Sequence, residues 1–132
     1  MTQFADLVLV NVRFVVAVDP VPLQRPRVVK GHAFLPARSR DYRAEVQTVI
    51  KTLGSLPPMT GAIRCRLSFY RKFLPTSRRF GDLDNHAKAV LDACNGLLLA
   101  DDSCVVELLA AKHQDKNLPR SEIAFECIEP TD

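Results

Sequence analysis

The chain has 132 residues, 47% hydrophobic and 25% charged, which suits one compact domain over residues 1–132 and excludes disordered and collagen-like chains. No segment reaches the ~20 apolar residues of a membrane span, and the N-terminus lacks a signal-peptide pattern, so a cytoplasmic protein with no membrane partner is expected. The net charge of +3 conceals an asymmetry: residues 1–80 hold 14 Lys+Arg against 4 Asp+Glu (+10), and residues 81–132 hold 4 against 11 (−7).

Residues 7–18 are rich in β-branched side chains and read as one or two strands. From Asp19 to Arg38 come Pro20, Pro22, Pro26, Gly31 and Pro36, a long irregular segment or loose hairpin carrying Arg25, Arg27, Lys30 and Arg38. Ser39 can cap a helix running to about Leu53, with Tyr42, Val46, Val49, Ile50 and Leu53 on one face and Gly54 as its stop. Residues 62–70 alternate as a half-exposed strand: Ile63, Cys65, Leu67 and Phe69 on one face, Arg64, Arg66, Ser68 and Tyr70 on the other. Residues 71–81 read as a basic loop with Arg71, Lys72, Arg78 and Arg79. A second helix starts near Asp84 and ends at Gly96, with Ala87, Val90, Leu91, Cys94 and Leu98 as its apolar stripe. Residues 103–112 and 121–128 complete the strands. This order predicts a small α+β domain, a mixed sheet with two main helices packed on it.

Cysteines 65, 94, 104 and 127 show no Cys-x-x-Cys spacing and read as free thiols in a reducing compartment rather than as a zinc site. His86, ~200° round the helix from Asp84, reads as a surface or packing residue, not a general base.

The chemistry concentrates in Gly81-Asp82-Leu83-Asp84-Asn85-His86-Ala87-Lys88, followed by Asp92, Gly96, Asp101 and Asp102. Residues 84, 88 and 92 share one helix edge, and Asp82 lies in the loop that enters the helix. If the chain reverses at Gly96, Asp101 and Asp102 return before a strand, beside Asp82. Converging carboxylates repel unless a cation neutralises them, and all-oxygen ligands select Mg²⁺, with Mn²⁺ as a substitute. Lys88 can set a positive charge against the phosphate. Taken singly, each residue has an ordinary reading: Asp84 as a cap, Asp84 and Lys88 as an i,i+4 pair, Asp101 and Asp102 as a turn, Asp92 as a solvated residue. Together, beside seven bases with no acid between Glu45 and Asp82, they favour a phosphate-cleaving site.

At these residues the sequence resembles the RusA family of Holliday junction resolvases. The shared pattern is Asp-x-Asp-Asn, a Lys four residues after the second Asp, a further Asp in the same helix, a Gly, and an Asp-Asp pair before a strand. Pro22-Leu23-Gln24-Arg25-Pro26-Arg27 and Tyr42 match the family's proline-rich basic segment and its helix-opening tyrosine, so the likeness runs over about residues 14–128. It implies a RusA-like fold and a Mg²⁺-dependent endodeoxyribonuclease. Such an enzyme works as a homodimer on four-way DNA in recombination and repair, without a small-molecule cofactor. By the same resemblance Asp82, Asp84 and Asp102 are catalytic metal ligands, with Asp101 as neighbour or co-ligand, Lys88 is the catalytic lysine, and Asp92 is supporting. Arg25, Arg27, Lys30, Arg38, Arg71, Lys72, Arg78 and Arg79 are the candidate DNA contacts. Two rivals remain: a different metal-dependent phosphohydrolase on nucleic acid or nucleotides, and a catalytically silent DNA-binding module. Junction, duplex and nucleoside triphosphate substrates separate the first, and binding without cleavage would mark the second.

Overall fold

A computed structural model describes residues 11–129. Its elements are β1 (Asn11–Val16), β2 (Arg27–Val29), β3 (His32–Phe34), α1 (Ala37–Thr52), β4 (Ala62–Arg71), α2 (Leu83–Cys94), a 3-10 turn (Asp102–Cys104), β5 (Val105–Gln114) and β6 (Arg120–Glu129). Four strands form one mixed sheet in the order β1-β6-β4-β5, and β2 pairs with β3 in a separate two-stranded hairpin. Only β4 and β5 run parallel, and α2 is the crossover between them. The predicted α+β class, with a mixed sheet and two main helices, is what the chain adopts. Among the described residues no helix is long and apolar enough to cross a membrane.

Alternation builds the sheet's inner face. Val12, Phe14 and Val16 of β1, Ile63, Cys65, Leu67 and Phe69 of β4, and Ile123 and Phe125 of β6 are all buried. Tyr42, Val46 and Ile50, four apart along α1, and Ala87, Val90 and Cys94 of α2 close the core over that face. Tyr42 ends in a hydrogen bond between its hydroxyl and that of Ser121 (2.5 Å), and burial pushes its phenol up to about 12. All four cysteines are free, but only Cys65 and Cys94 are buried; Cys104 and Cys127 are half-covered.

Several boundaries differ from the sequence expectation, each for a physical reason. The first strand stops at Val16, and residues 7–10 of the predicted strand lie outside the described residues. The loose segment contains a hairpin turned by Lys30 (φ 51°) and Gly31 (φ 79°), consecutive left-handed residues that suit a two-residue hairpin turn. α1 starts three residues early, with Pro36 rather than Ser39 at its N-cap, because Ser39 serves a different partner. Its hydroxyl accepts a hydrogen bond from the Gln24 amide (3.1 Å), and its own amide donates to Gln24 Oε1 (3.3 Å). The proline-rich segment is thereby pinned to α1. Leu23 N–H, donating to Asn85 O (2.9 Å), pins it to α2 as well. β4 runs one residue further than expected, so Arg71 closes a strand rather than opening a loop. Leu98 is buried, but in the turn after α2, where its carbonyl accepts from Met59 N–H (2.7 Å).

Candidate active site

α2 is the axis of the candidate site, and its two ends carry different halves of the acidic motif. Asp82 stands at the N-cap in extended backbone (φ −72°, ψ 137°), and its side chain makes no capping hydrogen bond. Asp84, in the first turn, accepts only the neighbouring Asn85 amide (3.0 Å). Both carboxylates are exposed at the positive end of the helix dipole, and neither is in an ion pair among the described residues. Lys88, one turn on, is exposed and forms no ion pair with Asp84 among the described residues. Asp92, another turn on, is half-buried.

Asp101 and Asp102 do not return beside Asp82. The Asp102 amide donates to Asn95 Oδ1 (3.1 Å), and the Ser103 hydroxyl bonds the Asp101 carboxylate, which places the pair at the C-terminal end of α2. Asp84 to Asn95 is eleven helical steps, roughly 16 Å at ~1.5 Å per residue. The cause is topological. β5 runs parallel to β4, so the chain must traverse the whole of α2 before β5 can begin beside Ile63. Among the described residues no three His, Cys, Asp or Glu side chains gather closely enough to hold a metal ion. The expected convergence of carboxylates is therefore corrected: the chain places two exposed pairs of aspartates, one at each end of α2.

The loop before Asp82 is held from the inside. Arg71 is 4% exposed, and its guanidinium grips Asp19 through Nε–Oδ1 (2.9 Å) and Nη2–Oδ2 (3.0 Å). Its Nη1 donates to the carbonyls of Arg79 (3.1 Å) and Phe80 (2.7 Å). Lys112 Nζ donates to the Gly81 carbonyl (3.1 Å) and lies over the Phe80 ring. His86, fully buried against Phe69 and Phe80, holds the Phe80 carbonyl from its Nε2 (2.6 Å). Burial drives the His86 pKa down to about 4 despite that bond, so the ring is neutral and donates; it is a packing histidine. Gly81 (φ 93°) fits because a side chain there would meet Pro22 Cγ at 2.7 Å.

The proposed DNA contacts divide accordingly. Arg25, Arg27, Lys30, Arg38, Lys72, Arg78 and Arg79 are exposed, and among the described residues none is in an ion pair. Arg71 is corrected: its donors are spent on Asp19 and two carbonyls, and it has no reach to a phosphate. The alternation that buries Ile63, Cys65, Leu67 and Phe69 continues inward to 71, which is the signal that identifies it. Asp19 and Lys112 carry no sequence signal, because each acts only through a partner distant in the chain.

An apolar groove lined by Leu83, Ala87, Leu108, Leu109 and Ala110 opens beside Asp84, between α2 and β5. β5 is an edge strand, and it exposes Val106, Leu108 and Leu109.

The chain is similar to known proteins over most of its length. Residues 17–126 match the protein family described as Endodeoxyribonuclease RusA. A Bacillus subtilis (strain 168) protein described as uncharacterized protein YqaN is 29% identical over 135 residues, covering 85% of this chain and 93% of that relative.

Proposed function

Because the chain belongs to the RusA endodeoxyribonuclease family, hydrolases of DNA phosphodiester bonds, we propose that its substrate is the four-way DNA junction, resolved by paired nicks from a homodimer with a divalent cation. The observation that carries this reading is the pair of exposed carboxylates of Asp82 and Asp84 at the N-terminus of α2, in a chain whose exposed bases, like these carboxylates, are in no ion pair among the described residues. The bases bind the phosphate backbone, and the carboxylates mark where it is cut.

A two-fold-symmetric junction needs two matched nicks, which a two-fold dimer delivers. The separation of the two aspartate pairs points the same way. Among the described residues, β5 offers an unpaired edge and exposed apolar side chains, a combination that suits a partner strand. Pairing β5 antiparallel with a second copy reverses the strand direction. One copy's Asp101 and Asp102 end then faces the other's Asp82 and Asp84 end. Asp82, Asp84 and Asp102, with Asp101 as neighbour, would hold Mg²⁺ or Mn²⁺ in that assembly, and the donor chemistry, all oxygen, fits such ions. The ion supplies Lewis-acid stabilisation of the charge that builds on the phosphate. Lys88, exposed on the same helix edge as Asp84, adds a fixed positive charge toward the same phosphate, and Asp92 supports that edge.

The test is nicking of a synthetic four-way junction in Mg²⁺ or Mn²⁺, beside duplex DNA and nucleoside triphosphates. We expect junction cleavage, and Asp82→Asn should lower it by on the order of 10²–10³-fold, the size of removing one electrostatic contributor. Junction binding by Asp82→Asn is retained or tightened, since a negative charge near phosphate is removed. Normal cutting by Asp82→Asn would refute the site, and preferential triphosphate hydrolysis would refute the substrate.

A further inference from the structure

Three consecutive backbone carbonyls, those of Arg79, Phe80 and Gly81, lead directly into Asp82. Each is held by a side chain from elsewhere in the fold: Arg71 takes the first two, His86 shares the second, and Lys112 takes the third. Arg71 is in turn oriented by a two-pronged grip on Asp19, at the exit of β1. These cations come from the C-terminal ends of β4 and β5, which pair with each other in the sheet. A buried ion pair contributes little stability beyond what apolar packing of the same volume would give. What the planar guanidinium fork gives instead is direction, because four of its N–H groups are used at once on partners that are fixed in space.

We propose that Asp19, Arg71 and Lys112 are positioning residues for the aspartate pair, fixing the point and direction at which the chain enters α2 and so the placement of Asp82 and Asp84. The proposal rests on the reading of those two aspartates as catalytic residues. It extends the site to three residues that touch neither DNA nor metal. Arg71→Lys keeps the charge opposite Asp19 but cannot reach both carbonyls as well. Lys112→Met keeps the stem and removes the donor, and Lys112→Arg restores one. Asp19→Asn is the mildest change, since the Asp19 side chain is 45% exposed.

The experiment measures kcat and KM for junction cleavage, metal-free junction binding, and amide hydrogen exchange, at a temperature where every variant is folded. Val12→Ala, which removes apolar volume from the buried face of β1, on the sheet edge opposite β5, reports the effect of reduced stability alone. In Arg71→Lys and Lys112→Met, kcat is expected to fall about 10- to 100-fold, as for a small misplacement of reacting groups, with KM and metal-free binding within about threefold. Amides of 82–86 should exchange faster while those of α1 do not. Lys112→Arg should recover most of the activity. Asp19→Asn combined with Arg71→Lys should cost no more than the worse single change, because the two act as one unit. The proposal is overturned if the folded variants keep wild-type kcat, or if their losses only track stability as that of Val12→Ala does. Asp82→Asn runs in the same assay: if it too cuts normally, the aspartate assignment has failed, and the positioning role falls with it.

Discussion

The two ends of α2 carry the same chemistry under different mechanical conditions. At the N-terminal end, Asp82 and Asp84 follow a loop gripped by Arg71, Lys112 and His86 and wedged against Pro22. At the C-terminal end, Asp101 and Asp102 lie in an exposed turn, held by the Asp102 amide on Asn95 Oδ1 and, within the turn, by Ser103 Oγ on the Asp101 carboxylate and Cys104 N–H on the Asp101 carbonyl. The first end is organised by its own chain. The second has its backbone placed and its carboxylates exposed, next to a strand edge that pairs with nothing among the described residues. Under the proposed dimer, the difference is that folding alone organises the first end, while the second waits for assembly.

The sharpest way to break that comparison is to inactivate each end separately and mix the products. Asp82→Asn and Asp102→Asn should each cut at a small fraction of the wild-type rate. If every site takes Asp82 from one chain and Asp102 from the other, a mixed dimer carries one site with both residues intact. Random reassortment makes about half of the dimers mixed, so about one quarter of all sites recover. The recovered activity should appear as single nicks rather than paired ones. If both residues serve the same chain's site, mixing recovers nothing, and the division of labour between the two ends is wrong.

The next effect concerns the surface that would join the ends. Leu109→Lys, on the exposed edge strand, should weaken dimerisation by about 2 kcal/mol, roughly 30-fold, the size of removing one buried anchor from an interface. Sedimentation or light scattering across a dilution series measures it. Junction cleavage should fall along with dimer concentration while the fold, monitored by circular dichroism, stays intact. An unchanged dimer would move the interface elsewhere.

These two ends also mark how far the sequence could be read. The fold class, both helices and the main strands follow from periodicities of 2 and 3.6, because burial of one face imposes them locally. The placement of Asp82 and Asp84 at the start of α2 was legible for the same reason: two carboxylates two residues apart at a helix start are a local feature. The place of Asp102 was not, because it depends on whether β5 pairs parallel or antiparallel with β4. A reversal at Gly96 describes the turn correctly but not the strand that follows it. The parallel pairing puts the start of β5 beside Ile63, a full helix length from Asp84. Ser39 misled for a related reason: its hydroxyl serves Gln24 across fifteen residues rather than its own helix end. Arg71 lay within reach of the pattern, one inward step beyond Phe69, but its positive charge favoured a loop over a strand end. Asp19 and Lys112 lay beyond it, since nothing near either residue in the chain reveals its partner.

The smallest effect separates, by burial, a base at the end of β4 from two in the loop that follows it. Arg78 and Arg79 are exposed and unpaired, whereas Arg71, a few residues earlier, is enclosed. Replacing Arg78 and Arg79 by alanine together should reduce the slope of log binding constant against log salt by about two, since each phosphate that a base neutralises adds about 0.9 to it. Arg71→Lys should leave that slope unchanged, because its guanidinium faces Asp19 and two carbonyls rather than solvent. Measuring junction binding without divalent metal across a salt series keeps cleavage out of the comparison. Equal slope changes in the two variants would mean that Arg71 reaches DNA after all, and the clamp would have to open on binding. A slope unmoved by the double alanine change would remove Arg78 and Arg79 from the phosphate surface and leave Arg25, Arg27, Lys30, Arg38 and Lys72 to carry it.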